Sequence, residues 1–213
     1  MADDDEDLPI RVDHRDPATA RAWLEDTRRR KPFRRTFRAA FCAALASHRQ
    51  LRILELGSGP GELARALLCR CDVAAYTALD WSPAMHDLAA EHLGALAARV
   101  AFVVRDFRAP TWPADLGTFD AIVTQQAVHE TRHRRHALPL FERARTLLLP
   151  GGLMLYCDGY LVDPAAPLAA LTLTRADQPR ALERAGFVDV RLLHDEGNLA
   201  LYRATNPPAD GAA

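Results

Sequence analysis

The sequence predicts an α/β fold, a mostly parallel sheet covered by helices on both faces. Three observations predict it. From Leu51 onward, short apolar runs of strand character alternate with amphipathic stretches, the pattern left by successive βα units. The first run, Leu51-Arg-Ile-Leu-Glu55-Leu, passes through Gly57-Ser-Gly59-Pro-Gly61 into helical sequence, which is a strand, a tight turn and a helix in order. The next run, Val73-Ala-Ala-Tyr-Thr-Ala-Leu-Asp80, is followed by Ser82-Pro83, a capping residue and a proline suited to a first helical turn.

Each element then has its own justification. The acidic stretch 1–15 and the tail 206–213 carry charge or chain breakers without apolar periodicity, so neither is expected to hold a fixed structure. Residues 16–50 are expected to form a helical cover. Asp16-Pro17 to Arg30 and Pro32 to His48 each open on a proline, and Phe33, Phe37 and Phe41 recur every fourth residue. Strands are expected over 51–56, 73–79, 99–104, 119–125 and 152–158, with helices over 61–70, 82–97 and 133–148. A helix over 177–185 and a hairpin complete a domain spanning 51–205. The hairpin pairs Phe187-Val-Asp-Val-Arg-Leu-Leu with Asn198-Leu-Ala-Leu-Tyr-Arg around Gly197.

Composition narrows the functional classes. A chain of 213 residues, 49% hydrophobic, can bury one substantial core but hardly two. A net charge of −1 gives no bulk attraction to nucleic acid or to an anionic membrane. Cys42, Cys69, Cys71 and Cys157 show no paired metal-binding spacing and read as reduced thiols. The start, Met1-Ala-Asp-Asp-Asp-Glu-Asp, is the reverse of a basic secretory leader, and no apolar run reaches membrane-spanning length. A soluble, cytoplasmic protein with a small-molecule partner is the expectation, without membrane or nucleic acid.

The glycine turn carries the chemistry. Gly57, Gly59 and Gly61 let the main chain approach a ligand closely while the following helix points its amides at it. A dinucleotide turn needs Gly or Ala three positions after its second glycine, but Glu62 stands there and disfavours a pyrophosphate. Glu55 lies two residues ahead of the first glycine, and Asp80 ends the next apolar run. Such a site suits a ligand with a cationic end and a ribose.

Glu55-x-Gly57-x-Gly59-x-Gly61 followed by Asp80 resembles the cofactor site of the class I S-adenosylmethionine-dependent methyltransferases. Three further segments match in order: Val103-Val-Arg-Asp106-Phe107, Phe119-Asp120-Ala-Ile-Val-Thr-Gln125, and Leu147-Leu-Leu-Pro150-Gly151-Gly152-Leu-Met-Leu-Tyr. The resemblance runs from about Leu51 to Tyr202. It implies a Rossmann-like, seven-stranded sheet of order 3-2-1-4-5-7-6 with strand 7 antiparallel, S-adenosylmethionine as cofactor, and methyl transfer to an oxygen or nitrogen of a small acceptor. By the same resemblance Glu55 lies near the methionyl end with the glycine turn beside it, and Asp80 accepts from the ribose hydroxyls. Asp106 accepts from the adenine amino group, Phe107 offers an amide or a wall, and the backbone around Thr124 and Gln125 faces the methionyl ammonium. Asp80 and Asp106 also suit turn or cap positions, and Trp81 suits either adenine stacking or plain packing.

Two segments leave alternatives open. After the fourth strand, His129 is the candidate base if the acceptor must lose a proton, with Glu130 beside it; local packing is the other reading. His129-Glu130-Thr131-Arg132-His133 also satisfies His-Glu-x-x-His, the mark of a zinc hydrolase on a continuous helix. A strand exit at this point, His136 where a longer zinc motif needs glycine, and the neighbouring Arg132, Arg134 and Arg135 argue against zinc, so no metal is expected. Arg28 to Lys31 with Arg34, Arg35 and Arg38 forms either a solvated helix face or a guanidinium wall. The wall would serve an anionic acceptor, or an RNA or protein substrate. A regulatory protein that binds an S-adenosyl ligand without turnover would share the cofactor motifs.

Overall fold

A computed structural model describes residues 6–10, 12–31, 33–166 and 168–209. The expectations for the first five residues, for Pro32 and for the tail from Asp210 lie outside the described residues. Seven strands form one sheet: β1 (Leu51–Leu56), β2 (Val73–Asp80), β3 (Val100–Val104), β4 (Phe119–Gln125), β5 (Leu148–Gly159), β6 (Val188–Glu196) and β7 (Leu199–Thr205). Their order is β3-β2-β1-β4-β5-β7-β6. The β7 strand runs antiparallel to both neighbours, and all other pairs are parallel. The chain steps from β1 outward to β3 and then returns to place β4 on the other side of β1. That reversal opens a crevice at the carboxyl ends of β1 and β4.

The central strands are buried on both faces, as parallel strands covered by helices must be. Ile53 and Leu54, Ile122 and Val123, and Met154 and Leu155 are all fully buried. On one face α5 (Ala137–Thr146) and α6 (Asp177–Arg184) contribute Leu140, Phe141 and Leu182, and Phe141 meets Tyr156 edge-on at 4.9 Å. On the other, α2 (Arg34–Leu45) and α3 (Glu62–Arg70) contribute Phe37, Phe41, Leu63 and Leu67. The four-residue phenylalanine repeat therefore faces the core. The remaining pair is separate: α1 (Pro17–Arg30) lays Ala20 and Leu24 on Ala84, Met85 and Leu88 of α4 (Pro83–Leu93).

Capping follows the sequence. Asp16 accepts from the Thr19 amide at 2.7 Å, and Ser82 from the Met85 amide at 3.1 Å, each ahead of a proline in the first turn. Three expected boundaries differ by four residues. The helix expected over 82–97 ends at Leu93 because Gly94 turns left-handed (φ 56°), and a 3-10 turn fills Gly94–Arg99. The helix expected over 133–148 begins only at Ala137, since Pro139 belongs in a first turn and Arg132 takes φ 70°. The fifth strand starts at Leu148, passing through Pro150-Gly151-Gly152 with a register shift against β4 between Phe119 and Ala121. Among the described residues, no helix is long and apolar enough to cross a membrane.

The turn after β1 is tied to the end of β2. The amides of Gly57 and Ser58 both donate to the Leu79 carbonyl, at 2.8 and 3.0 Å. Gly57 has φ 68°, and a Cβ placed there would lie 2.2 Å from the Ala127 Cβ; Gly59 has φ 51° but open space around it. Gly57→Ala is therefore expected to cost about 1–3 kcal/mol through strain and overlap, and Gly59→Ala clearly less. Chemical denaturation of the two variants checks the ranking, and equal losses would contradict it.

Candidate functional site

A cavity of about 760 Å³ occupies the crevice beside the glycine turn. Glu55, Gly57, Gly59, Asp80, Trp81, Phe107, Gln125 and Glu130 all line it. The fold thus gathers residues from β1, β2, the loop after β3 and the loop after β4 into one wall. From the opposite side, α1 contributes Trp23 and Thr27, and α2 contributes Arg34, Arg35 and Arg38. Helices that precede the sheet in sequence therefore close the crevice that the sheet opens.

Asp80 is held by backbone amides. One carboxylate oxygen accepts from Gly59 at 2.8 Å and the other from Ser82 at 2.9 Å. The group is 6% exposed, and desolvation raises its pKa against those hydrogen bonds. Each oxygen keeps a lone pair for a further donor. Glu55 is deeper, 2% exposed, and its carboxyl accepts from the Tyr76 hydroxyl at 2.7 Å. Burial pushes its pKa up to about 8, with the Tyr76 hydrogen bond opposing and the nearby Asp80 charge adding to the rise. In the ligand-free protein Glu55 is thus mainly neutral at pH 7, and an incoming cation would favour its ionised form.

Beside these acids, Trp81 presents a half-buried ring with the guanidinium of Arg15 4.9 Å from its centroid and that of Arg108 5.9 Å away. The Arg108 guanidinium also donates to both carboxylate oxygens of Asp106, the closest contact being 2.5 Å. Asp106, the expected acceptor for an adenine amino group, does not line the cavity and faces its own neighbour. Gly61 is also off the wall: it caps α3 with φ 74° and faces Ala89. Thr124 is fully buried, and only the adjoining Gln125 reaches the cavity.

Behind this wall lies His129, whose Nδ1 is 2.7 Å from Asp158 and whose Nε2 is 3.4 Å from Glu130. Desolvation opposes its charge, but the Asp158 charge and hydrogen bond, aided by Glu130, raise its pKa to about 10. An imidazole already protonated at neutral pH is a poor base, so the unit to consider is Asp158, His129 and Glu130 together. Glu130 is the member that reaches the cavity. Desolvation works against its charge, yet the hydrogen bond from His129 holds its pKa below the ordinary carboxylate value. The His-Glu-x-x-His stretch is not one helix: a 3-10 turn covers Val128–Thr131, and Arg132 is left-handed. Among the described residues, no group of three metal-ligating side chains is assembled.

Several residues here escaped the sequence. Tyr76 sits mid-strand in an apolar run and gives no sign that its hydroxyl will meet Glu55. Gln126, left-handed at φ 56°, is strained for a residue with a side chain, at the exit of β4. Asp158 had a usable signal, since it ends an apolar run at a strand's carboxyl end just as Asp80 does.

Residues 53–152 match a family whose description is "Methyltransferase domain". Over 113 residues, 50% of this chain, the sequence is 31% identical to the highly reducing polyketide synthase acrA of Aspergillus aculeatus, and it spans 4% of that protein's length. An O-methyltransferase family protein from Burkholderia thailandensis shares the fold with a TM-score of 0.73 at 18% identity, over 92% of this chain and 61% of that one. Human N-acetylserotonin methyltransferase, solved with SAM, gives 0.66 at 19% identity over 91% and 57%.

The buried Glu55 has a pH consequence. Its folded pKa, about 8, lies above the ordinary 4.5, so the folded state holds a proton that the unfolded state has lost between those values. Glu55 therefore lowers stability as pH rises across that window, by at most about 1.4 kcal/mol per pH unit. Glu55→Gln is expected to leave the melting temperature of the ligand-free protein little changed at pH 5 and to raise it at pH 8. Melts of both proteins across that range check the sign.

Proposed function

We propose that this protein, whose residues 53–152 match a methyltransferase-domain family, transfers a methyl group from S-adenosylmethionine to an oxygen or nitrogen of a small molecule. The observation that carries this reading is that the glycine turn, Asp80, Trp81 and Glu55 stand together in one cavity. Residues 16–50 act as its cover and 51–205 as the catalytic domain. All four cysteines are free thiols, in keeping with a cytoplasmic enzyme.

The residues present fit the cofactor. Asp80 has one free lone pair on each oxygen for a pair of ribose hydroxyls, and Trp81 offers an aromatic face for a base. Ser58 Oγ and Gln125 Nε2 border the cavity, buried and without a hydrogen-bond partner, as expected of atoms awaiting a ligand. Glu55 supplies a carboxyl that ionises beside a positive charge. When bound, S-adenosylmethionine supplies a sulfonium methyl carbon open to in-line attack, so that positioning accounts for most of the acceleration. The cover helices exclude water and hold the acceptor against that wall. Glu130, kept ionised by His129, is assigned the role of taking a proton from the acceptor, and His129 with Asp158 positions it.

Calorimetry is expected to show binding of S-adenosylmethionine and S-adenosylhomocysteine but not NAD, because Glu62 occupies the place a pyrophosphate requires. Tight NAD binding without S-adenosyl binding would overturn the assignment. Asp80→Ala is expected to weaken S-adenosylhomocysteine by about 1–3 kcal/mol, the cost of leaving buried donors unmatched.

With an acceptor identified by S-adenosylhomocysteine release, Glu130→Gln is expected to reduce turnover on the order of 10²-fold while retaining cofactor affinity. Unchanged turnover would remove Glu130 from the proton path.

A further inference from the structure

The cavity is electrostatically lopsided. Of its acids, Glu55, Asp80 and Glu130 stand on the sheet side and Glu62 at the start of α3, whereas the side formed by α1, α2 and the link between them is cationic. Arg28 and Arg38 share the single carboxylate of Glu62, at 2.7 and 2.9 Å. Lys31, Arg34 and Arg35 also line the cavity, and among the described residues none of the three has a carboxylate within ion-pairing distance. Arg34 is the informative member. Its guanidinium is half-buried and donates through Nε to the side-chain oxygen of Gln126, next to Gln125 on the cofactor wall. The guanidinium also lies over the Trp23 ring, 5.8 Å from its centroid, and burial lowers its pKa to about 10. A half-buried cation without an anion is costly, and it is tolerated where a ligand completes it.

We propose that Lys31, Arg34 and Arg35 form an anion-binding subsite that selects a small acceptor bearing a carboxylate or phosphate group. The inference rests on the methyltransferase reading and names the substrate class of that same site. A guanidinium presents paired N–H donors that match the oxygens of either anion, while Lys31 at the rim adds a point charge. The acceptor's anion would sit against the cover, and its nucleophile would point towards the glycine turn and Glu130. Trp23, Leu24 and Met85 line the same cavity and supply an apolar surface for the acceptor's body. An open track for a long polyanion is a poorer match, because Arg28 and Arg38 are already neutralised in part by Glu62.

The full-length protein, saturated with S-adenosylhomocysteine, is titrated with benzoate, with its neutral counterpart benzamide and with inorganic phosphate, followed by ligand-observed NMR. Saturable binding of benzoate or phosphate and none of benzamide is expected. Arg34→Gln is expected to weaken anion binding about tenfold or more, equivalent to one charge-assisted hydrogen bond, with S-adenosylhomocysteine affinity unchanged. Because Arg35 is exposed, Arg35→Gln tests the wall without disturbing packing and is expected to weaken the anion in the same direction. Absence of anion binding to the loaded wild type, or equal binding of benzamide, would overturn the proposal. So would a loss of S-adenosylhomocysteine affinity in Arg34→Gln with 5′-methylthioadenosine affinity retained, since the guanidinium would then serve the cofactor's own carboxylate. Failure of the wild type to bind S-adenosylhomocysteine at all is a different result: it removes the methyltransferase reading, and this inference with it.

Discussion

The hydrogen bond from the Gly59 amide to the Asp80 carboxylate, 2.8 Å long, ties the turn after β1 to the end of β2, and the site is arranged around that tie. The same carboxylate receives the Ser82 amide, so the strand end, the glycine turn and the start of α4 meet on one residue. Trp81 lies between the two anchored positions, which fixes where its ring emerges. Two more amides of the turn reach the Leu79 carbonyl. A backbone stitched at four points has little freedom, and its remaining donors and lone pairs are presented ready-made to a ligand. Asp80 thus has a structural part in the free protein and, on our reading, a binding part in the loaded one, with different lone pairs serving each.

The acids of the cavity wall are kept apart by environment. Glu55, buried against Tyr76, holds its proton to about pH 8. Glu130, more exposed and backed by protonated His129, stays ionised. Two glutamates within one cavity therefore differ in charge at neutral pH, one available to answer a cation and the other to accept a proton. Asp158 sets this division from behind, since its contact with His129 Nδ1 keeps the imidazole charged.

Much of the fold was legible because it depends on local rules. The alternation of apolar runs, the Ser82-Pro83 start and the hairpin at Gly197 each specify geometry within a few residues. Strand order came from the family resemblance and agrees with the structure. Element ends were less legible where a glycine or proline acts against a longer amphipathic pattern, as at Gly94 and Pro139. The site divides in the same way. Gly57, Gly59 and Asp80 are marked by the turn that needs them, whereas the partners Asp158 of His129 and Tyr76 of Glu55 depend on side chains meeting across the fold. Arg108 sits two residues from Asp106, a spacing that offers a carboxylate and a guanidinium to each other in a turn. Asp158 and Tyr76 are 29 and 21 residues from their partners, beyond any local rule.

Glu62 links the ligand choice of the turn to the closing of the cavity. As the first residue of α3, it places a carboxylate where a dinucleotide turn would receive a pyrophosphate, and the helix N-terminus favours that charge. The same carboxylate accepts Arg28 from α1 on one oxygen and contacts Arg38 from α2 with the other. Two helices that precede the sheet are therefore drawn to the glycine turn by the residue that disfavours a dinucleotide. With Phe37 and Phe41 buried beneath, α2 is fixed by packing at its base, and charge ties both helices at the rim. Arg34 lies between those anchors on α2, bonded to Gln126 and set over Trp23 but without a carboxylate partner, and it lines the cavity.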